Sequence, residues 1–204
     1  MTATALPRLL VLTDRRAVPA GRTLLDTLRA AVDAGATALV LRERDLPDAE
    51  RAALADACDR LLAGAGGVCV VAAPDPRGAG GGVHLRAGDP LPAVRPTLLG
   101  RSTHDVGELA RAALEGLDYV TLSPVAATAS KPGYGPALGA VGLQAVLCAA
   151  AGPVPPVFAL GGVDGRNAAS FVAAGAYGVA VMGAVMRADR PGDVVNGVLA
   201  AVGG

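Results

Sequence analysis

One loop of this sequence combines a solitary lysine with several hydroxyl groups. Residues 121–139 read TLSPVAATASKPGYGPALG and include Thr128, Ser130 and Lys131. Lys131 is the only lysine in a chain whose lysines and arginines total 18. A lysine ammonium is a compact point charge that suits a phosphate or a departing anion. The alternative interpretation is a solvated loop charge, because loops commonly carry charged residues.

Other polar or small residues follow short apolar runs elsewhere in the chain. These candidates are Arg42, Arg44, Asp75, Asp89, Ser102, Gly162 and Gly183. A glycine pair before a helix suits phosphate, because the backbone N–H groups can approach the anion closely. His84 and His104, the two histidines, are interpreted as structural hydrogen-bonding residues rather than as an acid or base.

Apolar runs typical of strands alternate with segments typical of helices. The predicted strands are Arg8–Leu12, Ala38–Leu41, Val68–Val71, Gly82–His84, Leu98–Leu99, Tyr119–Leu122, Val157–Leu160 and Gly178–Met182. The predicted helices are Leu24–Ala34, Asp48–Ala63, Val106–Glu115, Gly142–Ala150, Arg166–Ala174 and Pro191–Val202. Runs without polar alternation are typical of parallel strands that are buried on both faces.

Eight such strands predict a (β/α)8 TIM barrel with one parallel eight-stranded sheet, forming a single domain over residues 1–204. An open doubly wound sheet is the alternative. The segment Ala72–Gly81 is short for a parallel crossover, so an irregular connection is expected there. In a barrel, the polar residues that follow the strands meet at the carboxyl-terminal face, where active sites of this fold lie.

Composition narrows the function classes. A net charge of +0 argues against a broad nucleic-acid-binding surface. The sequence contains no apolar stretch long enough for a membrane helix and no secretory leader, so no membrane partner and a cytoplasmic location are expected. Cys58, Cys69 and Cys148 stand apart without metal-ligand spacing, and they are expected to be buried free thiols. The sequence leaves a homo-oligomer open.

Six motifs together resemble the thiamine phosphate synthase / TenI family. They are LRERD (Leu41–Asp45), GVHL with Asp89 five residues after His84, GRSTH (Gly100–His104), DYVTLSP with TASKPGYGPALG (Asp118–Gly139), FALGGV (Phe158–Val163) and GVAVM (Gly178–Met182). Each motif is weak alone, but they occur in the family's order along nearly the whole chain.

The resemblance implies a synthase that joins hydroxymethylpyrimidine diphosphate to thiazole phosphate, giving thiamine phosphate and pyrophosphate. Lys131, Arg42 and Arg44 would then hold the pyrophosphate, and Ser102, Thr128 and Ser130 would donate hydroxyls. The same resemblance implies that Asp89 and Asp75 hold Mg²⁺. The backbone at Gly162 and Gly183 would receive the thiazole phosphate. The expected partners are therefore phosphorylated small molecules.

The chain departs from the family's pattern at three places. Val40 stands where a pyrimidine-reading glutamine is usual, Ala72 and Ala73 stand near the usual Asn-Asp pair, and Arg86-Ala87 replaces Gly-Gln. A TenI-like thiazole tautomerase is the second interpretation, although Pro124 occupies the place of that enzyme's catalytic histidine. A barrel that binds a phosphorylated ligand without turnover is the third.

Overall fold

The fold is a closed barrel of eight parallel strands. The computed structural model describes residues 6–78, 81–128, 137–150 and 152–203. The strands are β1 (Leu9–Leu12), β2 (Ala38–Leu41), β3 (Val68–Ala72), β4 (Gly82–Leu85), β5 (Leu98–Thr103), β6 (Tyr119–Leu122), β7 (Val157–Leu160) and β8 (Gly178–Val181). Each strand pairs in parallel with its neighbours in chain order, and β8 pairs with β1 to close the sheet. The predicted barrel is confirmed, and the open sheet is excluded.

Alternate strand residues face two different apolar layers. Leu9 and Val11 of β1 pack outward against the helices, whereas Leu10 and Leu12 pack inward with Val40. Successive side chains of a strand point to opposite faces, so a strand buried on both faces must be apolar at every position. This explains why the continuous apolar runs predicted the strands.

Seven helices lie among the described residues. They are α1 (Leu24–Asp33), α2 (Asp48–Ala63), α3 (Val106–Ala113), α4 (Gly139–Ala149), α5 (Ala168–Ala173), α6 (Gly183–Met186) and α7 (Pro191–Val202). A short 3₁₀ turn, Arg15–Ala17, follows β1. The six predicted helices are present, α2 and α7 with the predicted bounds and the other four with ends shifted by up to three residues, whereas α6 and the 3₁₀ turn were not predicted. Both are a single turn long, too short to show a hydrophobic period.

The connections on either side of β4 contain no helix among their described residues. Buried arginines stabilise these loops instead. Arg51 of α2 donates to the carbonyl oxygen of Pro74. Arg101 of β5 donates from Nη1 to the carbonyl oxygens of Arg86, Ala87 and Asp89, at 2.9, 3.0 and 2.7 Å. These guanidinium groups thereby attach the backbone of the two loops to α2 and β5.

The cysteines agree only in part with the prediction. Cys58 and Cys69 are buried free thiols as predicted, but Cys148 is exposed, so the prediction of burial was wrong for that residue. It lies near the end of α4, whose only buried described side chain is Leu143. Within the described ranges, no helix is long and apolar enough to cross a membrane.

Candidate active site

A cavity of about 660 Å³ opens among the residues that follow the strands. Six predicted site residues line it: Arg42, Arg44, Ser102, Thr128, Gly162 and Gly183. They come from distant parts of the sequence and meet because the carboxyl ends of parallel barrel strands share one face. The floor is apolar and includes Leu12, Ala72, Leu160 and Ala180. The volume lies in the range usual for small-molecule sites.

Three arginines form a cationic side of this cavity. Arg42 and Arg44 follow β2, and Arg86 follows β4. The Nε atom of Arg44 is buried and has no hydrogen-bond partner among the described residues. Burial and then the charges of Arg86 and Arg42 lower the pKa of Arg44 from its ordinary value. Since these like charges oppose one another, an anion bound between them is stabilised.

Ser102 lies beside the arginines on β5. Its Oγ atom is 2.9 Å from Nε2 of His84, and Nδ1 of His84 is 3.0 Å from the Tyr119 hydroxyl. His84 is buried, and burial followed by the charges of Arg42 and Arg44 lowers its pKa to about 3. His84 therefore stays neutral at physiological pH, in agreement with its predicted structural role.

Glycines shape the opposite side of the cavity, after β7 and β8. Gly161 and Gly162 adopt φ values of +99° and +68°, a region that disfavours other residues. A β-carbon on Gly162 would lie 2.9 Å from the Ala126 carbonyl carbon. Backbone packing therefore requires a glycine at position 162, whether or not an anion binds there. Its N–H and that of Val163 have no acceptor among the described residues.

Gly183 has a different neighbour. A β-carbon there would lie 2.6 Å from the guanidinium carbon of Arg187. Arg187 lines the cavity and forms no ion pair with any described residue, whereas Arg166 nearby pairs with Asp164 at 2.6 Å. The missing side chain at Gly183 thus leaves space that the Arg187 guanidinium occupies, just after the end of β8.

The two predicted metal ligands border a neighbouring cavity of about 410 Å³, which shares Arg86 with the first. The buried Asp75 carboxylate accepts from Nε and Nη2 of Arg77, both at 3.2 Å. Asp89 accepts from the backbone N–H of Arg86 at 2.8 Å and from its Nε at 3.1 Å. In the described part of the chain, no three His, Cys, Asp or Glu residues converge as a metal centre.

Two predicted residues cannot be located, and two residues of the cavity were not predicted. Lys131 and Ser130 lie outside the described residues, so their predicted roles stay predictions. Sequence reasoning missed Arg86 and Arg187 as cavity residues. Arg86 was noted only as a departure from the family's pattern, and Arg187 follows a helix too short to be predicted.

The fold and this cavity define a (β/α)8 barrel with an arginine- and glycine-lined cavity at the carboxyl ends of its strands. Residues 9–185 match the family model described as thiamine monophosphate synthase. The chain belongs to this family, which confirms the resemblance noted from its motifs.

Relatives and solved structures agree with this assignment. Thiamine-phosphate synthase of Methanoculleus marisnigri is 38% identical over 193 residues, covering 87% of each chain. That of Salinispora tropica is 34% identical over 211 residues, covering 97% of this chain and 98% of the relative. Thiamine phosphate pyrophosphorylase from Pyrococcus furiosus superposes with a TM-score of 0.79 and 25% identity, over 96% of this chain and 95% of that one.

Proposed function

We propose that this chain is a thiamine-phosphate synthase, which joins hydroxymethylpyrimidine diphosphate to thiazole phosphate. The observation that carries the proposal is one cavity with an arginine side at β2 and β4 and a glycine side at β7 and β8. Two anions, a diphosphate and a phosphate, have to be bound at once in this reaction, and the cavity offers a separate cationic or N–H-rich surface for each.

The reaction breaks the bond between the pyrimidine methylene carbon and the diphosphate oxygen, and the electron pair leaves with pyrophosphate. The thiazole nitrogen then gives its lone pair to that carbon, so the C–N bond forms without any proton transfer. The protein has to stabilise the charge that develops on the leaving group. Arg42, Arg44 and Arg86 would do this, together with the Ser102 hydroxyl and the predicted Lys131, Thr128 and Ser130.

On the opposite side, Arg187 would bind the thiazole phosphate together with the N–H groups of Gly162 and Val163, which have no acceptor among the described residues. The apolar floor, with Ala72 and Ala180, would hold the flat pyrimidine ring and exclude water. Val40, at the family's glutamine position, is buried in the barrel interior. It therefore offers the pyrimidine no hydrogen bond, and packing against the floor takes its place.

We propose that Mg²⁺ enters with the diphosphate. Mg²⁺ prefers six oxygen ligands and is commonly held by one or two carboxylates plus substrate phosphates and water. Asp89, beside the arginine side, fits as the one protein carboxylate, whereas the buried pairing of Asp75 with Arg77 favours a structural role for Asp75. When bound, Mg²⁺ would neutralise charge on the departing pyrophosphate.

Incubation with both substrates and Mg²⁺ tests this function, with thiamine phosphate and pyrophosphate measured separately. We expect equal amounts of the two products. Arg60→Ala, an exposed change on α2, is the matched control and should keep full activity. Formation of neither product by the folded protein would contradict the proposal.

One observation favours thiazole tautomerisation as the second candidate. His104 lines the cavity, and its Nδ1 atom lies 2.9 Å from Oε2 of Glu108, so a carboxylate orients the ring. Such a pair can exchange protons with a bound substrate. A thiazole isomerisation assay of the parent and of His104→Gln decides this. Binding of thiazole phosphate without turnover in either assay would support the third interpretation, a ligand-binding barrel.

The proposal also covers the domain organisation, location and partners of the protein. We propose a single domain that acts in the cytoplasm on phosphorylated small molecules, without nucleic acid or membrane. Size-exclusion chromatography with light scattering measures whether it forms a homo-oligomer.

A further inference from the structure

Three side chains from adjacent strands form a hydrogen-bonded row that ends in the cavity. Tyr119 of β6 contacts Nδ1 of His84 of β4, and Nε2 of His84 contacts Ser102 of β5, at 3.0 and 2.9 Å. The intervening strand has to let the tyrosine pass. Gly100 of β5 pairs with both His84 and Tyr119, and a β-carbon on it would lie 2.6 Å from the Tyr119 oxygen.

The direction of this row follows from the hydrogen-bonding capacity of its members. The Tyr119 hydroxyl is fully buried, and its one hydrogen-bond partner among the described residues is Nδ1 of His84. A buried hydroxyl proton without an acceptor is costly, so the phenol donates to Nδ1. In a neutral imidazole the other nitrogen then carries the proton, and Nε2–H donates to Oγ of Ser102.

This direction determines what Ser102 can do. Its oxygen already accepts from His84, which leaves the Ser102 hydroxyl proton available to a ligand in the cavity. Had the row run the opposite way, that proton would be donated to His84 and only lone pairs would face the ligand. Lone pairs repel an anion, whereas the proton binds it.

We propose that Tyr119 and His84 are positioning residues that fix the Ser102 hydroxyl as a donor to the diphosphate. The role of the diphosphate rests on the proposed function, whereas the direction of the row does not. Burial of the row supports the assignment. It raises the pKa of Tyr119 and lowers that of His84 to about 3, so the phenol keeps its proton and the imidazole stays neutral.

The tautomer of His84 tests the direction in the unmodified full chain. The sequence contains 2 histidines, so ¹⁵N-histidine labelling gives two ring spin systems, and His104→Gln assigns them. We expect His84 to be protonated on Nε2 and unprotonated on Nδ1 at neutral pH. A protonated Nδ1 would overturn the proposal, whatever the activity of the protein.

Calorimetry with inorganic pyrophosphate at a fixed Mg²⁺ concentration tests the consequence. Ser102→Ala should weaken binding about 10-fold or more, since it removes a hydrogen bond to a charged group. Tyr119→Phe should weaken it by a smaller factor in the parent and not at all in Ser102→Ala, because it acts through Ser102. Tyr177→Phe is the matched control, since that hydroxyl donates to the Leu6 carbonyl oxygen away from the row.

The outcomes separate this inference from the proposed function. Equal losses from Tyr119→Phe in both backgrounds would identify Tyr119 as merely structural, and an unchanged affinity in Ser102→Ala would remove Ser102 as a donor. Either result overturns the inference. The expected tautomer and coupling in a protein that makes no thiamine phosphate would instead refute the synthase proposal alone.

Discussion

The two sides of the cavity differ in what they present to an anion. The β2–β5 side presents guanidinium groups and a hydroxyl, on loops that lack helices around β4. The β7–β8 side presents glycine backbone, with Arg187 lying over Gly183. Charge dominates the first side, and close approach of the backbone dominates the second.

The arginines of the molecule also differ in the partners that they have. Arg101 donates to three loop carbonyls, and Arg77 binds the Asp75 and Asp59 carboxylates. Arg44 and Arg187 line the cavity and have no such partners among the described residues. The first pair stabilises loops, and the second pair is available for the proposed anions as far as the described residues go.

The largest expected effect on activity comes from removing a charge from the β2–β5 side. Arg44→Ala should lower kcat/KM by about 10²–10³, the range for removing one stabilising donor from a developing charge. Stability should not fall, because the half-buried Arg44 lies among like charges. Steady-state kinetics and urea unfolding measure the two effects. Arg29→Ala, an exposed change on α1, is the control, and full activity of Arg44→Ala would exclude it from the site.

Asp75, a structural acid near the β2–β5 side, should affect the stability of the protein rather than its activity. Asp75→Asn should lower the free energy of unfolding by about 2 kcal/mol, since it removes one partner of a buried pair whose arginine keeps other carboxylates. Its Mg²⁺ requirement should not change. Urea unfolding and Mg²⁺ titration of the rate measure both. A raised Mg²⁺ requirement without loss of stability would restore Asp75 as a metal ligand.

Arg187 tests the β7–β8 side. Arg187→Ala should raise KM for thiazole phosphate about tenfold while kcat changes little, because it removes a charged contact to a group that does not react. Gly183→Ser should act similarly by displacing the guanidinium, and it should add nothing to Arg187→Ala. Arg190→Ala is the matched control, since Arg190 is exposed and pairs with Asp193. An unchanged KM in Arg187→Ala would place the phosphate elsewhere.

The buried row beside the arginines predicts a pH dependence of stability. The pKa of His84 is about 3 in the folded chain and about 6.5 when unfolded, so the unfolded state binds the extra proton between these values. The stability is therefore fully present above pH 6.5 and falls as the pH is lowered, by up to about 1.4 kcal/mol per pH unit. Urea unfolding between pH 5 and 7 should show this slope. His84→Gln should flatten it and His104→Gln should keep it, and an unchanged slope in His84→Gln would contradict the assignment.

The smallest expected effect concerns Mg²⁺. Free protein should bind Mg²⁺ weakly, because Asp89 is one carboxylate and is already paired with Arg86. Asp89→Asn should raise the Mg²⁺ concentration for half-maximal rate a few-fold. Calorimetry of the free protein and Mg²⁺ titration of the rate provide the data. Tight binding to the free protein would reveal ligands that have been missed.

The strands were the most predictable part of this protein, and the site was predictable only in part. Residues such as Arg42, Arg44 and Ser102 could be found because they follow strand-like runs, and their convergence then follows from the barrel. The exposure of Cys148 was not predictable, since apolar sequence neighbours do not say which face of α4 is covered.

The sequence by itself determined the barrel, the family and the polar residues at the strand ends, because periodicity and motifs are local properties of the chain. Only the tertiary structure decided which polar groups have partners. Asp75 pairs with Arg77, Arg187 lies over Gly183, and His84 joins Tyr119 to Ser102. Only the last of these three arrangements joins residues from different strands, and even the two local ones depend on the exact backbone path. Hydrogen bonding and charge act over a few ångströms, so the roles of these groups follow from their positions in space.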